Sequence, residues 1–145
     1  MYSVRRTTTT GLHPQRTAAL LTTEMLFVLP IFGVLLAGMV ELGLLVQGHN
    51  VVQLAAIEGA RAASLHYPHT DQRDQAILAA VHQVLGKQQW KDAAVVLFAG
   101  NHVSGEPVTV IVQLPMSQVA PDLLGPLGIS IQGRLLVAQA TMTKQ

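Results

Sequence analysis

Residues 25–46 read MLFVLPIFGVLLAGMVELGLLV, and this stretch decides the fold: one ionisable residue, Glu41, stands among 22 positions that are otherwise apolar or small. At about 1.5 Å of rise per residue, a helix of this length reaches roughly 33 Å, enough for a bilayer hydrocarbon core of about 30 Å. No polar stripe at helical spacing interrupts it before Glu41. The stretch therefore predicts a membrane helix and argues against one amphipathic helix of a water-soluble core.

Outside that stretch the 145-residue chain leaves room for one small domain, which needs support from the helix or from partners. Cysteine is absent, which excludes disulfides, thiolate metal sites and a cysteine nucleophile. Arg5, Arg6 and Arg16 precede Glu24 with no acidic residue among them, whereas six acidic and six basic residues after Val46 cancel. The positive-inside tendency then keeps the N-terminus cytoplasmic and exports the C-terminal part. So few basic residues, without aromatic interleaving, argue against nucleic-acid binding.

A basic start before an apolar run also describes a secretory signal peptide, with Leu36-Ala37-Gly38 as small residues near a cleavage site. The apolar run continues past them to Val46, longer than a signal peptide needs. Glu24 lies five residues after Ala19, and that spacing resembles type IV pilin-like precursors, in which cleavage after a small residue leaves glutamate fifth in the mature chain. Here the new N-terminus would be Leu20. A charge immersed in lipid costs about 2.5–3.5 kcal/mol even on lenient scales, so Glu24 either pairs with the α-amino group of a neighbouring subunit or lies among headgroups.

From Ala18 the string AALLTTEMLFVLPIFGVLLAGMVELGLLVQGHNVVQLAAIEGARAAS resembles the TadE-like family, small pseudopilins of the tight-adherence (Flp) pilus machinery. The resemblance rests on Glu24, Leu29-Pro30, Glu41 with Gly43, and Glu58-Gly59-Ala60-Arg61-Ala62-Ala63. Three positions depart from the pattern: Ala19 stands for the glycine before the cut, and Met25 and Leu42 for the aromatics after the two glutamates. The resemblance implies a bacterial inner-membrane pseudopilin with a pilin-like α+β domain outside the cytoplasm, associated with a pilus. It also implies membrane lipid, other pilus-assembly proteins and pseudopilins, and a prepilin peptidase as partners, in a hetero- or homo-oligomer. Glu24, Pro30, Glu41, Gly43, Glu58, Gly59 and Arg61 are then the assembly contacts, and Ala19, Leu20 and Glu24 the processing site.

No proline follows Pro30 until Pro68, so the helix is expected to run from about Ala18 to His66, with at most a kink at Pro30. Its outer half carries two small-residue rows, Ala55, Gly59, Ala63 and Ala56, Ala60, Ser64. Such rows suit close packing of helices between subunits, or of this helix on its own sheet. Glu58 and Arg61 form an i, i+3 pair, local or between subunits. Glu41, near the outer interface, is expected to snorkel to water or to pair with a partner.

Beyond Pro68 the sequence predicts a helix over Asp71–Leu85, capped by Thr70 or Asp71 and stopped by Gly86, with Ile77, Leu78, Val81, Val84 and Leu85 on one face. Ala93–Ala99 reads as a buried strand and Val108–Leu114 as an alternating one, joined as a hairpin through turn residues from Gly100 to Pro107. Pro115–Gly128 is an apolar loop that covers a core, docks a partner or touches the bilayer surface, core cover being the first reading, and Ile129–Met142 is a third strand with a bulge at Gly133. Trp90 should pack on the sheet or at an interface.

The expected fold class is α+β: a long N-terminal transmembrane helix continuing into a domain with a second helix and a small antiparallel sheet. The expected division is a basic leader over 1–17, the transmembrane and extended helix over 18–66 and an extracytoplasmic domain over 67–145. His66, His69 and Asp71 are too few placed ligands for a metal site, and no hydrolase, phosphate-loop or zincin motif occurs, so neither cofactor nor catalysis is expected. The function expected is contact, in assembly of a tight-adherence pilus. The alternatives are a single-pass scaffold subunit of another envelope or secretion complex and, from another class, a membrane-tethered hydrolase.

Overall fold

A computed structural model describes residues 14–65, 67, 69–88, 90–100 and 105–144, with side chains from Glu24 onward. The leader over 1–13, the side chains of Ala19 and Leu20, His66, Pro68 and the turn residues 101–104 lie outside the described residues. The architecture is α+β: α1 (Pro14–Ser64), α2 (Thr70–Gly86), then strands β1 (Val95–Ala99), β2 (Pro107–Pro115) and β3 (Leu135–Thr143). Helix α1 starts at Pro14, a few residues ahead of the expected boundary. Proline suits that first helical position because its missing N–H has no intrahelical acceptor there. It runs through Pro30 without interruption.

Two compact units divide within α1, between Leu36 and Ala37. In the first, every described side chain from Glu24 to Leu36 is exposed. From Ala37 onward α1 buries one face. Gly38, Glu41, Leu45, Gly48, Val52, Ala55, Gly59 and Ala62 follow one another at alternating three- and four-residue steps, each buried or half-buried. That stripe is the helical period written in burial, and its residues are mostly small, which lets the rest of the unit approach the backbone.

The sheet has the order β1-β2-β3, antiparallel throughout, with Phe98 opposite Val110 and Val110 opposite Ala140. Strand β2 alternates as expected, and Val108, Val110, Val112 and Leu114 are fully buried. They meet Ile77, Val81 and Leu85 of α2 and Val52, Ala55, Ala56, Ala60 and Ala63 of α1 in one core. Burial of each large side chain contributes about 1.5–3 kcal/mol, so β2 and α2 supply most of the core's apolar burial, while α1 adds Val52 and a row of alanines that lets them pack close.

Of the two readings open for the small-residue rows, packing within the chain is the one observed: both rows turn inward, with Ala55, Ala56, Ala60 and Ala63 inaccessible and Ser64 donating its hydroxyl to the Arg61 carbonyl at 2.8 Å. Three expectations need correction. Strand β1 is not buried: Val95 and Leu97 are 53% and 48% exposed, because β1 is an edge strand and these two residues lie on the face away from the helices. A continuous apolar run at a sheet edge reads like a central strand, although of the run only Ala93, Ala94 and Val96 pack, half-buried, on the core. Strand β3 begins at Leu135, since Ile131–Arg134 closes a turn (Arg134 N to Ile131 O, 3.2 Å) in which Gly133 takes φ 73°. Gly133 is therefore a turn residue rather than a bulge. Finally, the N-cap of α2 is His69, with no side-chain capping bond from Thr70 or Asp71.

Candidate membrane and assembly interface

The exposed part of α1 is apolar around its whole circumference: Met25, Leu26, Phe27, Val28, Leu29, Ile31, Phe32, Val34, Leu35 and Leu36 all face outward. Among the described residues one helical segment is long and apolar enough to cross a membrane, with a best-window mean hydropathy of 2.3. Only 6% of that window is buried within the protein, so its apolar surface is not spent on an internal core. Glu24 is exposed at the start of the bare segment, and a shallow apolar notch lined by Met25, Leu26, Leu29 and Pro30 follows it.

Glu41 is the first polar residue inward along the stripe, and it is 3% exposed. Its carboxylate accepts hydrogen bonds from the backbone N–H groups of Leu123 and Leu124, both at 3.1 Å. The expected water or partner subunit is thus replaced by the chain's own loop, because a carboxylate on the buried face of α1 is satisfied there by two converging amides. Around it the loop after β2 makes two short 3-10 turns, Met116–Gln118 and Gly125–Leu127. Asp122 braces this loop, accepting from the Ser130 hydroxyl at 2.6 Å and from the Ile131 N–H at 3.4 Å. Val119 packs toward the core while Ala120 and Ile131 are buried, so the loop does cover the core.

Gly38 and Gly48, which sequence reasoning passed over, both lie under this loop, and at Gly48 the docking requires glycine: a Cβ there would overlap the Val119 side chain, whereas one at Gly38 would stand at ordinary contact distance, 3.5 Å, from Leu124 Cδ1. Their signal was present: glycine inside a helix costs about 1 kcal/mol relative to alanine, and these two fall three and seven residues from Glu41 on the stripe. Gly48→Ala is expected to destabilise the docked loop by about 1–3 kcal/mol, since Val119 is stiff at χ1 and must move with its backbone. Faster proteolytic cleavage within 116–131 is the readout.

The remaining expected contacts separate. Gly59 lies in the core between α2 and β2, against Val81 and Val110. Gly43 is exposed with nothing near its Cβ position, and it remains open to a partner. Glu58 and Arg61 form an exposed pair at 3.4 Å. Such pairs contribute at most about 1 kcal/mol, and Arg61→Ala is expected to change thermal stability by no more than about 0.5 kcal/mol. Trp90 packs half-buried on the core. Among the described residues no three His, Cys, Asp or Glu side chains converge as metal ligands, and His69 is the exposed cap of α2.

No curated protein and no solved structure matches the chain. The family comparison falls on the helix that carries both the bare apolar segment and the docking stripe: over residues 21–61 the chain matches the TadE-like protein family.

Proposed function

We propose that the chain is a single-pass, membrane-anchored pseudopilin-like protein that takes part in assembling a tight-adherence pilus by contact. The observation that carries this reading is the TadE-like match over residues 21–61, which includes the apolar, fully exposed helical segment from Glu24 to Leu36. In this reading the N-terminus is cytoplasmic, as its arginines favour, and the α+β unit lies outside the inner membrane. Cleavage after Ala19 by a prepilin peptidase would free Leu20 and bring Glu24 to the fifth position.

The internal use of both small-residue rows narrows how subunits meet. Ala55, Gly59 and Ala63 are occupied within the unit, so helix-to-helix contact with other pseudopilins falls to the exposed segment from Glu24 to Leu36 and to the open backbone at Gly33 and Gly43. Small residues let membrane helices approach closely, and both glycines offer such a place.

Deleting the chain is expected to abolish surface pili, with restoration by the wild-type copy and not by a copy carrying leucine at Gly33 and Gly43. Normal pili in the deletion strain would refute the pilus reading and favour a scaffold of another envelope complex. Intact mass of the extracted protein reads processing separately, a start at Leu20 being the expected result.

A further inference from the structure

We propose that the turn Pro121–Ile129 is a membrane-surface contact, seated in the acyl–headgroup boundary of the bilayer that holds α1. The proposal rests on the membrane anchorage proposed above and adds a second point of attachment to it.

The turn is built inside out for a loop in water. Pro121, Leu123, Pro126, Leu127 and Ile129 are exposed, and every exposed side chain between 121 and 129 is apolar. Leu127 and Ile129 are 56% and 59% exposed. Its polar groups point the other way. The amides of Leu123 and Leu124 are taken by Glu41, the Asp122 carboxylate by Ser130 and the Ile131 amide, and the amides of Leu127, Gly128 and Ile129 by carbonyls of Leu124 and Gly125. Backbone groups near lipid must be satisfied internally, and the amides of Leu123, Leu124, Leu127, Gly128 and Ile129 are.

Lipid is favoured as the occupant because this turn is fixed to α1 at Gly38 and Glu41, immediately after the bare apolar segment ends at Leu36. The neighbouring α1 residues Met39, Val40 and Leu42 are themselves exposed and apolar, so the turn continues the greasy surface of the helix sideways. Seventeen residues separate Glu24 from Glu41 in the sequence, roughly 26 Å of helix at 1.5 Å each, close to the thickness of a hydrocarbon core. A turn anchored at Glu41 therefore sits at the outer boundary, where apolar side chains gain by insertion, with the Glu41 and Asp122 carboxylates engaged by donors of the chain itself.

The absence of native cysteine allows single labels in the full chain. Leu127→Cys, Leu97→Cys and Val34→Cys proteins, each carrying an environment-sensitive fluorophore, are reconstituted in phosphatidylcholine–phosphatidylglycerol vesicles. Nitroxide lipids spin-labelled near the head of the acyl chain are expected to quench the label at 127 at least about twofold more than the label at 97, while iodide quenches only the latter. Equal behaviour at 127 and 97 would overturn the proposal, and so would a label at 127 shielded from both quenchers, which would mean a protein covers the turn. A label at 34 that lipid nitroxides fail to quench would instead contradict the anchorage, so the two failures are distinguishable.

Discussion

Gly59→Leu is expected to destabilise the C-terminal unit by about 3 kcal/mol or more. A Cβ at this position would stand 2.8 Å from Val81 Cγ2 and 3.1 Å from Val110 Cγ1, with Ile77 Cγ2 at 3.7 Å behind them. Val81 and Val110 are both inaccessible, one on α2 and one on the central strand, so neither can swing into solvent. Overpacking a close-packed core costs about 1–3 kcal/mol for small additions, and four added carbons against two β-branched neighbours should reach the upper end or exceed it. A domain holding about 5–15 kcal/mol of stability would lose a large share. Thermal unfolding of the detergent-extracted protein measures this directly. Gly43→Leu, with nothing within 4 Å of its Cβ position, is the matched control and should stay within about 0.5 kcal/mol of wild type.

Glu41→Leu should release the loop that follows β2. The substitution leaves the Leu124 N–H without an acceptor and the Leu123 N–H with only the Pro121 carbonyl at 3.0 Å, and an unsatisfied buried donor costs about 1–3 kcal/mol. A loss of about 2 kcal/mol corresponds to roughly 30-fold faster exchange of those two amides with solvent deuterium. Amides of β2 should keep their protection, because its ladder with β1 and β3 does not involve Glu41. Glu41→Gln retains one carbonyl acceptor and should show a smaller increase. Unchanged exchange at Leu123 and Leu124 in the leucine variant would mean the carboxylate does not hold the loop.

The helices and β2 were legible in the sequence because their signals are local. Val108, Val110, Val112 and Leu114 alternate, Ile77, Val81 and Leu85 repeat every four residues, and no proline breaks α1 after Pro30. What the sequence hid is which surfaces meet. Ala55, Gly59 and Ala63 announce close packing, yet small size is equally suited to an outside helix and to the chain's own α2 and β2. Glu41 looked like a membrane carboxylate in search of a partner, since its donors come from a segment more than 80 positions away. Val95 and Leu97 looked buried because an apolar run carries no mark of an edge. Gly38 and Gly48 carried a signal in their helical cost, but it becomes readable only once the burial stripe of α1 is known.

In the proposed arrangement the apolar helix surface from Glu24 to Leu36 is held in lipid, and the exposed face of α1 from Val46 onward meets water. Single cysteines placed along α1 of the full chain in detergent-free membranes, probed with a membrane-impermeant maleimide from both faces, test it most directly. The account expects Phe27, Ile31 and Leu35 positions to remain unlabelled until detergent is added, with full labelling at the exposed Gln47 and Asn50 positions. Prompt labelling at Phe27 and Ile31 without detergent would contradict it.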